Sequence, residues 1–401
     1  MKKKIIFMVI NMNVGGTEKA LLNMIAEMPK DQYDVTILML EKYGGFLGSI
    51  PREVQVKYLE GYQNIKDTLN NSPYIVFMDL LKKGKIIKAF NVIFFHLICK
   101  LMKDRSLFFK YVLRDYPVID NEYDSVVAYA GPMDFISYFV VKKIVAKKKI
   151  QWIHFDVTKV SFNKVFSANI YKEFDRIFTV SNEAKNKLIS IIPSIKKKTD
   201  VFPNVISSNL IQKQAKDGKG FSDNFTGLRI LTVGRLANEK GQDLAIRVLS
   251  RLIGEGFKVK WYCVGDGSSR KQYEELIEHY SLKDTFILLG EKRNPYVYMD
   301  ECDIYVQPSR HEGYCITLAE ARYLNKAIVT TNFTGAKEQI RHEETGLIVD
   351  VDEDDIYEAI KKLVINQNLC EYFSRNLAIE NYDQGIKKKK RLLKSETSNC
   401  L

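Results

Sequence analysis

The sequence lacks an apolar run long enough to cross a bilayer, and it lacks any cluster of cysteine and histidine. A membrane-spanning helix needs about 20 consecutive apolar residues, so none is predicted here. The six cysteines are scattered without a C-x-x-C motif, which argues against a zinc site or a disulfide framework and indicates reduced thiols in the cytosol. The apolar run near the N-terminus stops at Asn11, which is too early for a signal peptide, and it predicts a first buried strand.

The first half of the chain is also short of acidic residues. Residues 1–200 contain 32 lysines and arginines against 20 aspartates and glutamates, whereas residues 201–401 contain 29 of each. The net charge of +12 therefore belongs to the first half. Such a surface can bind nucleic acid, an anionic membrane or an acidic substrate, and its lysines can equally be ordinary solubilising surface. No nucleic-acid-binding module is recognisable, so we expect no nucleic-acid partner.

Two successive sets of strand and helix patterns fill the chain. A length of 401 residues is too great for one compact core. The alternation of strands with helices is typical of doubly wound parallel sheets, in which ligands bind at the carboxyl ends of the strands. We therefore predict an α/β fold with two Rossmann-like domains facing across a cleft. The first comprises residues 1–205, the second residues 206–372, which begin with a polar linker that includes Gly218, Gly220 and Gly227, and a helical tail follows in residues 373–401.

One segment interrupts this alternation. Residues 67–114 have a helical pattern and are unusually apolar, above all in the stretch 86–102, which lysines surround. Lys88, His96 and Lys100 argue against a membrane-spanning helix. Two interpretations have equal weight: a basic, apolar helix lying in a membrane interface, or a buried helix of the first domain.

Four polar loops are predicted at the carboxyl ends of strands. In the first, Gly15 and Gly16 allow a ligand to approach the backbone closely, although a glycine turn after a first strand is common. The second contains Arg235 and Lys240 beside a helix start, where two cations can receive a diphosphate or can simply be solvated. The third places His154 at a strand end, where an imidazole can donate to a substrate or leaving group near neutral pH or can be structural.

The fourth loop contains two carboxylates eight positions apart. Glu312 follows an apolar strand, and Glu320 lies within a helical pattern. The amides that open this helix can bind a phosphate, while the carboxylates can accept hydrogen bonds from sugar hydroxyl groups. An isolated pair with this spacing is more often a surface glutamate followed by an ordinary helix glutamate. The presence of four polar loops at strand ends favours the functional interpretation.

Taken together, these motifs resemble the family-4 retaining glycosyltransferases, which have the GT-B fold. The resemblance extends over nearly the whole chain and is strongest in residues 228–350. It is carried by GGTE (15–18), WIHFD (152–156), VGRLANEKG (233–241), VGDG (264–267) and EGYCITLAEA (312–321).

The resemblance implies a role for each matching residue. Arg235 and Lys240 would hold the donor's diphosphate, Glu312 would contact the donor sugar, and Glu320 would hold the ribose. His154 would lie beside the transferred sugar, and Gly15 and Gly16 would approach the phosphates. The implied catalytic residues are His154, Arg235, Lys240 and Glu312, and the implied donor-binding loop comprises Gly313, Tyr314, Cys315, Ile316 and Thr317. The helical tail, with its basic cluster at residues 387–391, would pack back on the first domain.

The expected function is transfer of a sugar, with retention, from a nucleotide-diphosphate donor, with a UDP-sugar favoured. The expected acceptor is a lipid-linked or membrane-proximal glycan in the synthesis of a cell-surface polysaccharide such as a capsule. No metal and no cofactor are expected, and the enzyme would be a cytoplasmic protein held peripherally on the inner face of an anionic membrane. The alternatives are a GT-B-fold nucleotide-sugar epimerase or another non-transferase sugar-nucleotide enzyme, and a non-catalytic sugar-nucleotide binding protein.

Overall fold

The computed structural model describes residues 2–393, apart from the side chains of residues 121, 208–210 and 382–393. The chain divides into two compact units, unit 1 (Met1–Pro203) and unit 2 (Asn204–Leu401). Each unit contains one parallel sheet with helices, so the predicted α/β class with two Rossmann-like domains is confirmed.

Unit 1 contains a seven-stranded sheet in the order β3-β2-β1-β4-β5-β6-β7, and all of its strand pairs are parallel. The order reverses between β1 and β4, which is where a doubly wound sheet opens a crevice for ligands. The edge strand Thr199–Val201 was not predicted, because an apolar periodicity cannot be recognised over only three residues. The strands are β1 (Lys3–Val9), β2 (Tyr33–Met39), β3 (Gln55–Tyr58), β4 (Ile119–Gly131), β5 (Ile144–Ile153), β6 (Arg176–Thr179) and β7 (Thr199–Val201).

The predicted helical segment 67–114 is confirmed as part of a run of four helices. Ser72 caps the second of these by accepting a hydrogen bond from the Ile75 amide, and Lys103 ends the third in a left-handed conformation. Among the residues described, we find no helix that is both long and apolar enough to span a membrane. The helices of unit 1 are α1 (Gly16–Glu27), α2 (Gln63–Asn70), α3 (Pro73–Lys82), α4 (Ile86–Met102), α5 (Ser106–Val112), α6 (Asp134–Lys143), α7 (Lys164–Ile170) and α8 (Asn182–Ile191).

Unit 2 contains a six-stranded parallel sheet in the order β10-β9-β8-β11-β12-β13. Its strands are β8 (Leu228–Val233), β9 (Val259–Val264), β10 (Phe286–Gly290), β11 (Ile304–Gln307), β12 (Ala327–Thr331) and β13 (Leu347–Val349). Its helices are α9 (Ser208–Ala215), α10 (Gln242–Gly254), α11 (Arg270–His279), α12 (Tyr296–Glu301), α13 (Ile316–Tyr323), α14 (Glu353–Ile365) and α15 (Gln367–Leu393).

Apolar clusters cover both faces of the unit 2 sheet. Trp261 and Leu249 belong to the cluster on one face, while Tyr305 and Leu318 belong to the cluster on the other. A parallel sheet that is buried on both faces has nearly continuous apolar strands, which explains why these strands were predictable almost to the residue. Because β8 and β11 are neighbours at the point where the strand order reverses, the loops that follow them lie side by side.

The stretch predicted as a polar linker is more ordered than expected. It contains α9, and the amides of Gly220 and Phe221 donate to the Glu301 carboxylate over 3.1 and 2.9 Å. Polar composition suggested a loop, but a carboxylate distant in sequence satisfies this backbone. At the other end of unit 2, the last helix begins at Gln367 rather than at 373. The side chains of the basic cluster 387–391, and residues 394–401, lie outside what is described, so the return of the tail stays a prediction.

Candidate active site

The loops after β8 and β11 are held together by an ion pair that the sequence did not reveal. The guanidinium of Arg310 binds both oxygens of Asp243 over 2.7 and 2.6 Å and also donates to the Asn238 carbonyl. Such a two-point pair fixes direction as well as distance. It therefore anchors the loop that carries Lys240 to the loop that carries Glu312.

The centre of the candidate site in unit 2 is the pair of Lys240 and Glu312. The ammonium of Lys240 lies 2.6 Å from the nearer carboxylate oxygen of Glu312, and the two side chains are 20% and 11% exposed. Burial acts to lower the pKa of Lys240, but the adjacent Glu312 carboxylate outweighs it and raises this pKa above its usual value. Lys240 is therefore a permanent cation at physiological pH, held in a sheltered position.

A hydrogen-bonded chain behind Glu312 sets its orientation. The Ser309 hydroxyl donates to the same Glu312 oxygen over 2.8 Å, and the Gln307 amide donates to Ser309 over 2.8 Å. The Tyr305 hydroxyl and the Thr317 hydroxyl donate to the Gln307 carbonyl. Tyr305, Gln307 and Ser309 alternate along β11 and the loop after it, and their hydrogen bonds thus fix the orientation of the Glu312 carboxylate. Sequence reasoning missed Ser309 and Gln307, although their position within the strand preceding Glu312 was available as a signal.

The segment from Gly313 to Thr317, predicted to bind the donor, leads into the start of α13. Cys315 is the residue before the helix, and its side chain forms no capping hydrogen bond. Among the described residues, none accepts a hydrogen bond from the amides of Gly313, Tyr314, Cys315, Ile316 or Thr317. Burial raises the pKa of the Cys315 thiol to about 12, so this thiol stays neutral. Uncapped amides at a helix N-terminus attract an anion, and Lys240 adds a full positive charge beside them.

Glu320 lies one turn further into α13 and is fully buried. The Tyr296 hydroxyl donates to one of its carboxylate oxygens over 2.9 Å. The structure thus confirms that Glu320 lies on the helix that begins at Ile316. Its predicted contact with a ribose stays a prediction.

Arg235 differs from Lys240 in its surroundings. Its guanidinium donates to Glu239 over 2.6 Å, and its side chain is 65% exposed. Arg235 and Lys240 lie in the same short segment between β8 and α10. The structure therefore brings Arg235, Lys240 and Glu312 into one region of unit 2, with Arg235 on the solvent side.

In unit 1, the loop with the glycine pair leads directly into a helix. Gly15 is the residue before α1, without a side-chain cap, and Gly16 opens the helix. The charge of Glu18, in the first turn, raises the pKa of the buried Tyr129 in addition to the larger effect of burial. The ring of Tyr129 lies 4.5 Å from that of His154. The first loop and the histidine are thus in the same part of unit 1.

His154 is more deeply buried than the sequence suggested. Burial lowers the pKa of its imidazole to about 3, although a backbone hydrogen bond with Tyr129 acts in the opposite direction. Its ring is also stacked on that of Trp152. The imidazole is therefore neutral near pH 7, and its predicted role beside a donor sugar stays a prediction. Such an imidazole can serve as a neutral hydrogen-bonding group.

A cavity of about 320 Å³ lies in unit 1 beyond the carboxyl end of β4. Its polar lining includes Arg105 and Asp134, and among the described residues neither side chain forms an ion pair within 4.0 Å. Burial raises the pKa of Asp134 from 3.8 to about 6, against the opposing charge of Arg105 and with a smaller contribution from Asp104. The remaining lining residues are Tyr62, Leu69, Asn70, Phe109, Pro132, Met133, Phe135, Ser161 and Asn163.

The part of the chain that the structure describes contains no group of three or more histidine, cysteine or carboxylate side chains arranged to hold a metal. Its five cysteines are unpaired, and four of them are buried.

The chain is similar to known glycosyltransferases. Residues 220–378 match the family model of the glycosyl transferases group 1. The N-acetylgalactosamine-N,N'-diacetylbacillosaminyl-diphospho-undecaprenol 4-alpha-N-acetylgalactosaminyltransferase of Campylobacter jejuni is 30% identical over 209 residues, which are 52% of this chain and 55% of that protein. The capsular polysaccharide biosynthesis glycosyltransferase CapM of Staphylococcus aureus is 27% identical over 212 residues, or 50% of this chain and 55% of that protein. The similarity thus spans about half the length of these curated relatives.

Among solved structures, Anabaena Alr3699/HepE in complex with UDP and glucose superposes with a TM-score of 0.69 and 16% identity, covering 99% of this chain and 100% of that one. At this level of identity, the likeness establishes a shared fold.

Proposed function

We propose, on the premise that residues 220–378 are a glycosyl transferases group 1 domain within a GT-B fold, that this protein transfers a sugar from a nucleotide-diphosphate donor to a glycan acceptor. The observation that carries the proposal is the sheltered cation Lys240, which lies against Glu312 beside the uncapped amides that open α13. A diphosphate can bind the cation and the amides together, while the Glu312 carboxylate can accept a hydrogen bond from a donor sugar hydroxyl.

The chemistry requires stabilisation of a leaving group. When the bond between the anomeric carbon and the diphosphate oxygen breaks, negative charge develops on that oxygen and the sugar becomes electron-poor. Lys240, with Arg235 on the solvent side, lies where it can stabilise the developing charge, and the preformed position avoids reorganisation during the reaction. Ser309 and Gln307 act on the reaction indirectly, because they hold Glu312 in place.

Several finer points rest on the relatives and on the family resemblance. The superposed Anabaena protein is in complex with UDP and glucose, which supports a UDP-sugar donor. The Campylobacter relative acts on a diphospho-undecaprenol-linked glycan and the Staphylococcus relative in capsule synthesis, which support a lipid-linked acceptor and a surface polysaccharide product. Retention of configuration, metal independence and the roles of Glu320, His154, Gly15 and Gly16 are supported by the resemblance of their motifs.

We place the acceptor sugar in the cavity of unit 1. Asp134 can accept hydrogen bonds from sugar hydroxyls, Arg105 can donate them, and the rings of Tyr62 and Phe109 offer apolar faces. A carboxylate that is kept ionised in a partly buried cavity without an ion-pair partner weakens folding, and such groups are found most often where a ligand binds. With a lipid-linked acceptor, the enzyme would work as a cytoplasmic protein on the inner face of the membrane.

The proposal is tested by a panel of nucleotide sugars, with membrane extract as acceptor and release of nucleoside diphosphate as readout. One UDP-sugar is expected to give release that depends on the extract and is unaffected by EDTA. If EDTA stops release and magnesium restores it, metal independence is wrong. A donor that is converted without extract to a sugar epimer would instead identify an epimerase. Absence of release with every donor would contradict glycosyl transfer.

The raised pKa of Asp134 in this cavity predicts that the stability of the fold depends on pH. Because the folded pKa of Asp134, about 6, is higher than its unfolded value of 3.8, ionisation destabilises the fold progressively as pH rises from about 4 to 6. Asp134→Asn is therefore expected to be more stable than the wild type at pH 7.5, by at most about 3 kcal/mol, and equally stable at pH 4.

The same substitution separates a binding role from a structural one. Because an ionised carboxylate is the better acceptor of hydroxyl hydrogen bonds, wild-type kcat/KM for the acceptor should rise between pH 5 and 7. In Asp134→Asn this value should be about tenfold lower at pH 7.5 and independent of pH in that range, while the affinity for UDP should be unchanged. A wild-type pH profile retained by the variant would exclude Asp134 from acceptor binding.

A further inference from the structure

A stripe of large apolar side chains lies on the solvent side of α4. Ile87, Phe90, Phe94, Leu97 and Leu101 recur at intervals of three and four residues, which places them on one face of the helix. Each is between 56% and 84% exposed. Single exposed apolar residues are ordinary, whereas a contiguous row of five along a helix of 17 residues, about 25 Å long, is not.

Helix α3 extends the same surface. The rings of Phe77 on α3 and Phe90 on α4 are in edge contact at 5.5 Å, and Tyr74, Ile75 and Met78 of α3 are exposed. Ile86 and Met102 are exposed at the two ends of α4. We call this surface the α3–α4 apolar face, and it consists of Tyr74, Ile75, Met78, Ile86, Ile87, Phe90, Phe94, Leu97, Leu101 and Met102.

The opposite side of α4 holds the helix in unit 1. Ala89, Val92 and Cys99 are buried, and the ring of Phe95 is stacked on that of Tyr111 at 4.7 Å. The core of the unit therefore does not require the exposed stripe. Moving a large apolar side chain from water into an apolar environment is favourable by about 1.5–3 kcal/mol of free energy. Binding of an apolar partner to the uncovered face would therefore be favourable.

The charges on α3, α4 and the residues that flank them are almost all positive. Residues 72–103 contain six lysines and one acidic residue, Asp79. Lys83 pairs with Asp79 over 2.6 Å. Among the described residues, no ion pair within 4.0 Å involves the other five, which are Lys82, Lys85, Lys88, Lys100 and Lys103. This combination of an apolar stripe with lysines at its ends matches the acyl boundary and the anionic headgroups of a lipid leaflet.

From these observations we infer that the α3–α4 apolar face docks the protein on an anionic bilayer, with α4 along the surface and its stripe inserted among the acyl chains. A second copy of the chain fits this surface less well, because face-to-face pairing would bring the lysines of both copies together. The inference deepens the proposed function by identifying the surface that contacts the membrane. It does not depend on the donor site, since the helices and charges involved belong to α3 and α4.

Vesicle sedimentation tests the docking directly. The full chain is expected to bind phosphatidylcholine vesicles that contain 30% phosphatidylglycerol, and to bind pure phosphatidylcholine at least tenfold more weakly. Raising KCl from about 20 to 300 mM should weaken binding several-fold without abolishing it, since the apolar contribution is not screened. Failure to bind the anionic vesicles at low salt would overturn the inference.

The stripe itself is tested by Phe94→Glu/Leu97→Glu. Both side chains are exposed, so the fold should be retained, and vesicle affinity should fall more than tenfold. Ile365→Glu is the matched control, because Ile365 of α14 in unit 2 is equally exposed and should tolerate the change without loss of binding. If the double variant retains wild-type vesicle affinity, the face is not the docking surface. If it loses only a concentration-dependent dimer seen by ultracentrifugation, the face is a subunit interface and the inference fails.

Insertion can be observed with Phe94→Trp. The two native tryptophans, Trp152 and Trp261, are fully buried and should not respond to lipid. Emission from residue 94 should shift to shorter wavelength on anionic vesicles and be quenched by brominated acyl chains. An unshifted, unquenched signal from bound protein would exclude insertion. UDP affinity should be the same in the wild type and Phe94→Glu/Leu97→Glu, so that failure of docking is distinguishable from failure of the donor-site assignment.

Discussion

Lys240→Met is expected to lower kcat/KM for the nucleotide-sugar donor by about a hundred- to a thousandfold. One preformed group that stabilises developing negative charge contributes roughly 3–4 kcal/mol to lowering an enzymatic barrier. Methionine preserves most of the apolar stem of Lys240 but removes the charge that lies 2.6 Å from Glu312. The measurement is steady-state release of nucleoside diphosphate, with donor concentration varied at saturating acceptor.

Loss of the ion pair between Lys240 and Glu312 also lowers the stability of the fold. The effect of Lys240→Met on stability therefore has to be measured separately from its effect on activity. Without Lys240, the sheltered Glu312 carboxylate loses its cation, so Lys240→Met alone should lower the melting temperature. Lys240→Met/Glu312→Gln should recover most of that stability but none of the activity. Lys271→Met is the matched control, because the Lys271 side chain is 90% exposed on α11. Wild-type activity in Lys240→Met would show that the leaving group is stabilised elsewhere.

Gly241→Ala is expected to lower the free energy of unfolding of unit 2 by about 3–5 kcal/mol. Gly241 has a φ of 73°, a left-handed conformation that costs an L-residue roughly 1–2 kcal/mol. A Cβ at this position would also lie 2.0 Å from the Pro308 carbonyl oxygen, a backbone atom in the loop after β11. The turn that carries Lys240 must therefore move away from the Glu312 loop, and donor affinity should fall with stability.

Gly254→Ala provides the comparison at the other end of α10, the helix that Gly241 precedes. Gly254 is the last residue of α10, and a Cβ there would meet no atom within 4 Å. Alanine should leave stability unchanged or raise it by up to about 1 kcal/mol. Denaturant unfolding followed by the fluorescence of Trp261, in a Trp152→Phe background, reports on unit 2 alone. Equal stability of the two glycine variants would mean that the turn at Gly241 does not pack against Pro308.

The strands of unit 2 and the donor loop were predictable because their signals are local. The apolar pattern predicts strands over residues 228–233, 259–264 and 304–307, and β8, β9 and β11 have these bounds, since a buried parallel strand is a continuous apolar run between turn residues. The same periodicity argument placed Glu312 before a helix and Glu320 within it. Motif order along the chain also indicated a glycosyltransferase, and residues 220–378 match the family model of the glycosyl transferases group 1.

The groups that position the donor loop were not predictable in the same way. The contacts of Arg310 with Asp243 and of Ser309 with Glu312 join residues through side-chain geometry, and neither pair has a characteristic spacing. The protonation state of His154 was not predictable either. The place of His154 at a strand end was correctly inferred, but its neutral state depends on burial against Trp152 and Tyr129, which no local pattern reports.

The sequence by itself determined the two parallel sheets, the helical nature of the segment 67–114 and the loops that carry the candidate donor site. It could not distinguish a buried helix from a helix with an exposed apolar side, because the apolar residues of the segment read the same way in the sequence in both cases. The tertiary structure decided this point for α4: Ala89, Val92 and Cys99 face the core, and the stripe from Ile87 to Leu101 faces outward. Burial depends on which elements pack together across long sequence separations, whereas periodicity reflects only the geometry of a single helix or strand.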